Sequence, residues 1–157
     1  MPTRAATQSP YALSAALREA TVAEYKMRAI CKAAVDRFGD VPPFSDVRAA
    51  ATHRARALAA LAIRFGVPVP RDPFAPFRVG IPAFLSSFQA CRAAAVASRR
   101  TVALYEKLLA QEFPPEVGDV LDRLLEGTLH HHMPAFERGA RQSHSPPADP
   151  DTSLWSA

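Results

Sequence analysis

The sequence has few of the residues that mark several common protein classes. Its 157 residues include two cysteines, Cys31 and Cys91, too few for a disulfide framework. It has no Cys-x-x-Cys pair, no glycine-rich phosphate loop and no recognisable catalytic triad signature. No apolar run approaches the roughly 18 residues that suggest a membrane-spanning helix, and the N-terminus has no apolar stretch typical of a signal peptide. We therefore expect a cytoplasmic protein that does not bind membranes.

Acidic residues are scarce in the middle of the chain. Between Val47 and Leu104 the only acid is Asp72, although the net charge of the whole chain is only +4. Nine arginines occupy this region: Arg48, Arg54, Arg56, Arg64, Arg71, Arg78, Arg92, Arg99 and Arg100. Such a region is either the solvated basic face of two helices or a surface for an acidic partner or another subunit.

The first half of the chain predicts a pair of helices. The first spans about 10–38 and ends before Gly39, a plausible residue for the turn that follows a helix. The second begins at a cap formed by Ser45 or Asp46 and ends near Phe65.

The second half predicts another pair, separated from the first by a proline-rich stretch. Residues 67–77 contain four prolines and read as an extended crossover. The third helix runs from about Pro82 to Gln111, and the fourth spans about 114–141 with a kink at Pro134. We expect an all-α four-helix bundle over 10–141, made of two helical hairpins joined by this crossover, in the up-down-down-up order of ferritin-like bundles. Residues 1–9 are expected to be flexible and 142–157 to form a disordered tail.

One carboxylate interrupts an apolar helix stripe in the first helix. The stripe advances in alternating steps of four and three residues, which predicts one buried face, and Glu24 lies at its middle. It contains Leu13, Leu17, Ala20, Glu24, Met27, Cys31, Ala34 and Phe38. A buried ionised carboxylate is costly unless a metal, a cation or hydrogen bonds compensate its charge.

Several segments resemble an uncharacterised bacterial family of ferritin-like four-helix domains. They are EYKMRAICKAAVDRFG, PPFSDV, LAALAIRFGVPVP, ALYEKLL and HHMPAFER, within roughly residues 13–140. In such families the ligand-like positions are a Glu before Tyr-Lys on helix one, a Glu-x-x-His on helix two, a Glu on helix three and a His on helix four. The resemblance implies the fold, and in such families these ligand-like positions form a central di-metal site.

Carried over residue by residue, that site is degenerate. The five matching positions are Glu24, Ala51, Arg54, Ser98 and His132, and only Glu24 and His132 retain a ligand side chain. A di-metal centre needs several carboxylates, so the resemblance argues against the chemistry. We expect Arg54, on the inner stripe of the second helix, to form an ion pair with Glu24 in the vacated site. His132 is expected to be a core histidine that is hydrogen-bonded to Ser98 or Glu24.

Two alternatives stay open, one for the polar residues and one for the cysteines. One is a mononuclear iron, manganese or zinc site formed by Glu24, His132 and either His53 or His130, although consecutive histidines on a helix point in different directions. The other concerns the cysteines, which are expected in one layer of the core as free thiols, with a redox pair as the less favoured interpretation.

Three classes of function follow from these observations. The favoured class is a non-catalytic, degenerate ferritin-like protein that has lost its di-metal centre and serves as a binding or assembly module. It would need no cofactor and would bind a protein partner or itself. The second class is a metal-binding protein or oxidoreductase that uses a mononuclear site in place of the di-metal centre. The third, a binder of nucleic acid through the basic face, is disfavoured because the arginines are not interleaved with aromatics.

Overall fold

The structure, a computed structural model, describes residues 9–142. Within this range every regular element is a helix, so the protein is all-α, as the sequence predicts. The elements are α1 (Pro10–Phe38), α2 (Phe44–Arg64), α3 (Ser87–Leu109), α4 (Pro115–Gly127), a π-helical segment (Thr128–His132) and α5 (Met133–Gln142). Apart from Ser9 and Gln142, the predicted flexible N-terminus and tail lie outside the described residues. None of the described helices is long and apolar enough to cross a membrane.

Local signals explain where the helices begin. The Ser9 side chain accepts a hydrogen bond from the backbone of Tyr11, and α1 starts at Pro10 as predicted. The expected cap of α2 at Ser45 or Asp46 is wrong, because the helix already starts at Phe44 and the Ser45 hydroxyl bonds to Asp40 instead.

The third helix starts later than predicted. It begins at Ser87 rather than near Pro82, because extended Ser86 accepts a hydrogen bond from the Gln89 backbone N–H and caps the helix there.

Pairs of contacts establish the directions of the helices. Glu24 contacts Tyr105 and Glu19 contacts Lys107, so α1 and α3 are antiparallel. On the other side, Arg54 contacts Thr128 and Arg64 contacts Glu116, so α2 and α4 are also antiparallel. Because α1 and α2 form a hairpin across the short 39–43 connection, α2 and α3 run in the same direction. The order is therefore up-down-down-up.

The proline-rich connection 65–86 joins the two parallel helices by passing along the outside of α1. The Tyr25 hydroxyl donates to the carbonyl of Pro70, and Arg28 lies 2.7 Å from Asp72. Further on, Arg78 pairs with Asp36. These contacts advance along α1 in step with the connection, so it packs as a strap over one side of the bundle.

The fourth helix is continuous but contains one widened turn. The Met133 N–H bonds to the carbonyl of Thr128, five residues back, which defines the π-helical segment. Pro134 follows directly, and its ring would clash with the carbonyl four residues earlier in a regular α-helix. The wider turn accommodates that clash, and the kink at Pro134 stays a prediction.

Candidate functional site

A polar layer divides the core of the bundle into two apolar clusters. One cluster contains Met27, Ala51 and Phe136, and the other contains Ala20, Leu58 and Tyr105. Between them, each helix contributes a polar residue at the boundary: Glu24 from α1, Arg54 from α2, Ser98 and Thr101 from α3, and Thr128 from the π-helical segment. This polar layer therefore lies at mid-height of the bundle, where four helices meet.

Glu24 is the buried centre of this layer. Glu24 is only 2% exposed, and its Oε1 atom accepts a hydrogen bond from the Tyr105 hydroxyl. The Nη1 atom of Arg54 lies 3.6 Å from the same oxygen, so the predicted ion pair is present. The Arg54 side chain is 13% exposed, which makes this a mostly buried pair whose partners depend on each other.

A second contact orients the guanidinium of Arg54. Its Nη1 donates to the Thr128 hydroxyl at 2.9 Å, and that hydroxyl donates in turn to the carbonyl of Leu124 at 2.8 Å. On the same side Gly127 leaves room for the guanidinium, because a Cβ atom there would lie 2.0 Å from Arg54 Nη2. The guanidinium is thus held by the Glu24 carboxylate and the Thr128 hydroxyl, and it packs against Gly127.

Burial has the largest effect on the pKa values of Glu24 and Tyr105. It raises the pKa of Glu24 above its ordinary value, although the charge of Arg54 and the hydrogen bond from Tyr105 both act to lower it. The pKa of Tyr105 is well above its ordinary value, because of burial and because the neighbouring Glu24 disfavours a second negative charge. Tyr105 is therefore a neutral hydrogen-bond donor to Glu24 at any ordinary pH.

His132 lies near the Arg54 guanidinium but is uncharged at neutral pH. Its pKa is lowered to about 4, mainly by burial and further by the charges of Arg54 and His131. The predicted hydrogen bond to Ser98 is absent, since the Ser98 hydroxyl has no partner among the described residues. Nor does Glu24 bond to His132, because its side chain contacts Tyr105 and Arg54 instead. His132 is a half-buried neutral neighbour of the network.

The other two matched positions provide no metal ligand. Ala51 is fully buried on α2, and Ser98 is fully buried on α3. The unpartnered Ser98 hydroxyl is an energetic cost, because a buried polar group without a hydrogen bond is destabilising by about 1–3 kcal/mol.

The four residues of the alternative metal site are not brought together. His53 and His130 are exposed on α2 and the π-helical segment, whereas Glu24 is buried. His130 instead lies 3.6 Å from Glu126, one turn earlier on its own helix. Within residues 9–142 no three His, Cys, Asp or Glu side chains are positioned to hold a metal ion. With a guanidinium already beside Glu24, the residues present do not fit a di-iron or other di-metal centre.

The cysteines occupy the predicted positions in the core. Cys31 and Cys91 are buried free thiols of the same apolar cluster. Burial is the main reason that the pKa of Cys31 is raised to about 12, although the charge of Arg48 acts to lower it, so the thiol is protonated at neutral pH. Cys91 packs against Gly139, where a Cβ would lie 2.5 Å from its Sγ atom. Both side chains fill space in the core.

Three residues of the network carried signals that the sequence interpretation did not use. Tyr105 lies on the inner stripe of α3, and a buried tyrosine hydroxyl needs a partner. Gly127 stands inside a helix, where glycine is unfavourable unless a close approach requires it. Thr128 continues the inner face of the fourth helix, since the buried residues Val117, Leu121, Leu124 and Thr128 advance in steps of four, three and four residues.

The basic middle of the chain separates into paired and unpaired arginines. Four of the nine have a carboxylate within 4 Å: Arg54, Arg64, Arg78 and Arg99. Among the unpaired ones, Arg71, Arg92 and Arg100 line two adjoining clefts between α1, α3 and the strap, together with Arg18 and Lys26 of α1. The clefts contain one acid, Glu19, which itself faces Lys107 at 3.7 Å. This side of the bundle is therefore strongly cationic.

Comparison with protein-family models, with curated proteins and with solved structures finds no match to this chain.

Proposed function

We propose that this protein is a non-catalytic ferritin-like bundle in which a Glu24–Arg54 pair replaces a di-metal centre, and that it functions as a binding or assembly module for an acidic partner. The observation that carries the proposal is the position of Arg54. Its guanidinium supplies, beside the one retained carboxylate, the positive charge that a metal would otherwise supply.

The helix order supports the ferritin-like assignment. Ferritin-like bundles have one long crossover between two parallel helices, and the strap 65–86 makes this connection between α2 and α3. The polar layer also lies at mid-height, where bundles of this type hold their ligands.

The composition of the layer supports the loss of chemistry. Glu24 is the only carboxylate among the buried polar residues of the described chain, and its Oε1 atom already faces a phenol and a guanidinium. Neither a hydrolytic nucleophile with an adjacent base nor a multi-carboxylate ligand set is formed there. The network therefore stabilises one packing of four helices, and the cationic surface provides the binding function.

Metal analysis tests the proposal directly. Protein purified without an affinity tag is expected to contain far less than one equivalent of iron, manganese or zinc, and a chelator should leave its melting temperature unchanged. Stoichiometric metal that resists chelation and is lost in Glu24→Ala would overturn the proposal in favour of a mononuclear metal site. Glu106→Ala is the matched control, because Glu106 is an exposed carboxylate of α3.

A further inference from the structure

We infer that the groove between α1 and α3 binds an acidic amphipathic helix of a partner protein. The inference rests on the proposed binding function and names the surface and the chemistry of the partner.

The groove consists of two clefts that share Lys26. The first, of about 400 Å³, lies between Lys26 and Ile30 of α1 and the α3 stretch from Arg92 to Arg100. The second, of about 720 Å³, continues along α1 from Lys26 back to Ser14 and is bounded by Leu104 and the strap. From Ser14 to Ile30 α1 rises about 24 Å at 1.5 Å per residue, which is the length of a helix of about 16 residues.

The floor of the groove is apolar. Ile30 and Ala97, both buried, line the first cleft, and Val96, which is 40% exposed, also lines it. Val22, Ala23 and Leu104 continue the apolar surface into the second cleft. An amphipathic helix places apolar side chains at positions i, i+3, i+4 and i+7 into a groove of this kind.

The rim of the groove is cationic. Arg18, Lys26, Arg71, Arg92 and Arg100 line it, and no carboxylate of the described residues lies within ion-pair distance of any of them. Acidic residues flanking the apolar face of a partner helix would complement this rim and accelerate association. A nucleic acid fits less well, because no aromatic side chain lines either cleft to stack with bases.

A designed peptide tests the inference. The probe is a fluorescein-labelled 16-residue helix with a leucine stripe flanked by glutamates, and fluorescence anisotropy measures its binding to the full chain. We expect saturable binding that weakens as salt is added, and that is weakened at least about tenfold in Arg92→Glu/Arg100→Glu. The matched control is Arg56→Glu/Arg138→Glu, which changes the net charge equally at exposed arginines of α2 and α5. It should change the affinity less than about twofold.

A second pair of variants tests the apolar floor. Val96→Ser should weaken binding several-fold, whereas Ile63→Ser, at a residue of α2 that is 72% exposed, should not. Circular dichroism confirms that each variant is folded before its binding is measured.

Three results would overturn the inference: absence of saturable binding, an equal loss of binding in the control variant, or equal binding of a peptide in which lysines replace the glutamates. Tighter binding of a labelled single-stranded DNA that is lost in Arg92→Glu/Arg100→Glu would assign the groove to nucleic acid instead. Stoichiometric metal would contradict the proposed function without changing these binding results. Conversely, a metal-free protein that fails to bind the peptide contradicts only the inference about the groove.

Discussion

The guanidinium of Arg54 packs directly against Gly127, so closely that a Cβ atom at residue 127 would lie 2.0 Å from Nη2. The two residues are far apart in sequence, and the glycine sits in an ordinary helical conformation that any residue adopts. A glycine is present here because there is no room for a side chain beside the guanidinium. The glycine and the arginine therefore depend on each other through packing.

This relationship predicts a change of sign in the effect of Gly127→Ala. In the native protein the substitution should destabilise, because the new methyl group displaces the guanidinium from Glu24 and Thr128. In an Arg54→Ala background the same substitution should stabilise by up to about 1 kcal/mol, because alanine is the better helix former. Urea denaturation measures both free energies of unfolding.

Gly118 offers a matched control on the same helix. A Cβ at Gly118 would have no atom within 4 Å, so Gly118→Ala should be stabilising or neutral in both backgrounds. If Gly127→Ala has the same sign with and without Arg54, the packing between the two residues is not the cause.

The buried ion pair predicts strong coupling between Glu24 and Arg54. Arg54→Met should cost about 3–5 kcal/mol of unfolding free energy, because it leaves a buried carboxylate without its cation. The double variant Glu24→Leu/Arg54→Met should cost much less, and adding Tyr105→Phe should remove the hydroxyl that the loss of Glu24 leaves unpaired. Arg56→Met, at an exposed arginine of the same helix, should change stability by less than about 0.5 kcal/mol. Additive effects of the two single substitutions would mean that the pair is not coupled.

His132 predicts a loss of stability in acid. Its pKa is lowered from 6.5 to about 4 in the folded protein, so the folded state binds its proton less readily than the unfolded state. The stability that this residue contributes is therefore fully present above pH 6.5 and is lost as the pH falls towards 4. Relative to His132→Gln, the native protein should lose unfolding free energy over this range, and a constant difference would refute the assignment.

Replacing Ser98 with alanine is expected not to destabilise the folded protein. Because the fully buried Ser98 hydroxyl has no partner in the described part of the chain, Ser98→Ala should be neutral or stabilise by up to about 1 kcal/mol. Thr101→Val is the comparison, since the Thr101 hydroxyl donates to the carbonyl of Ala97 at 2.9 Å and its loss should have a measurable cost. A clear destabilisation by Ser98→Ala would indicate that this hydroxyl is hydrogen-bonded in solution.

Helical periodicity and the positions of glycine and proline were sufficient to predict much of this structure. The apolar stripe of α1, the glycine at its end and the prolines of the strap are local signals, so the all-α class and the burial of Glu24 could be predicted from them. The ion pair with Arg54 could also be predicted, because both residues lie at mid-height on inner stripes of adjacent helices.

Only the tertiary structure decided which groups complete the network. Thr128 continues the regular inner stripe of Val117, Leu121 and Leu124, but the bond from Arg54 to its hydroxyl depends on how α2 is placed against the fourth helix. Likewise, Tyr105 bonds to Glu24 although it lies 7 residues beyond the matched position Ser98, because a long side chain spans part of the helix rise that separates them. The groove between α1 and α3 depends on the antiparallel packing of two helices that are distant in sequence. Local spacing determines which face of a helix is buried, whereas the partners of a buried group depend on how separate helices are placed in space.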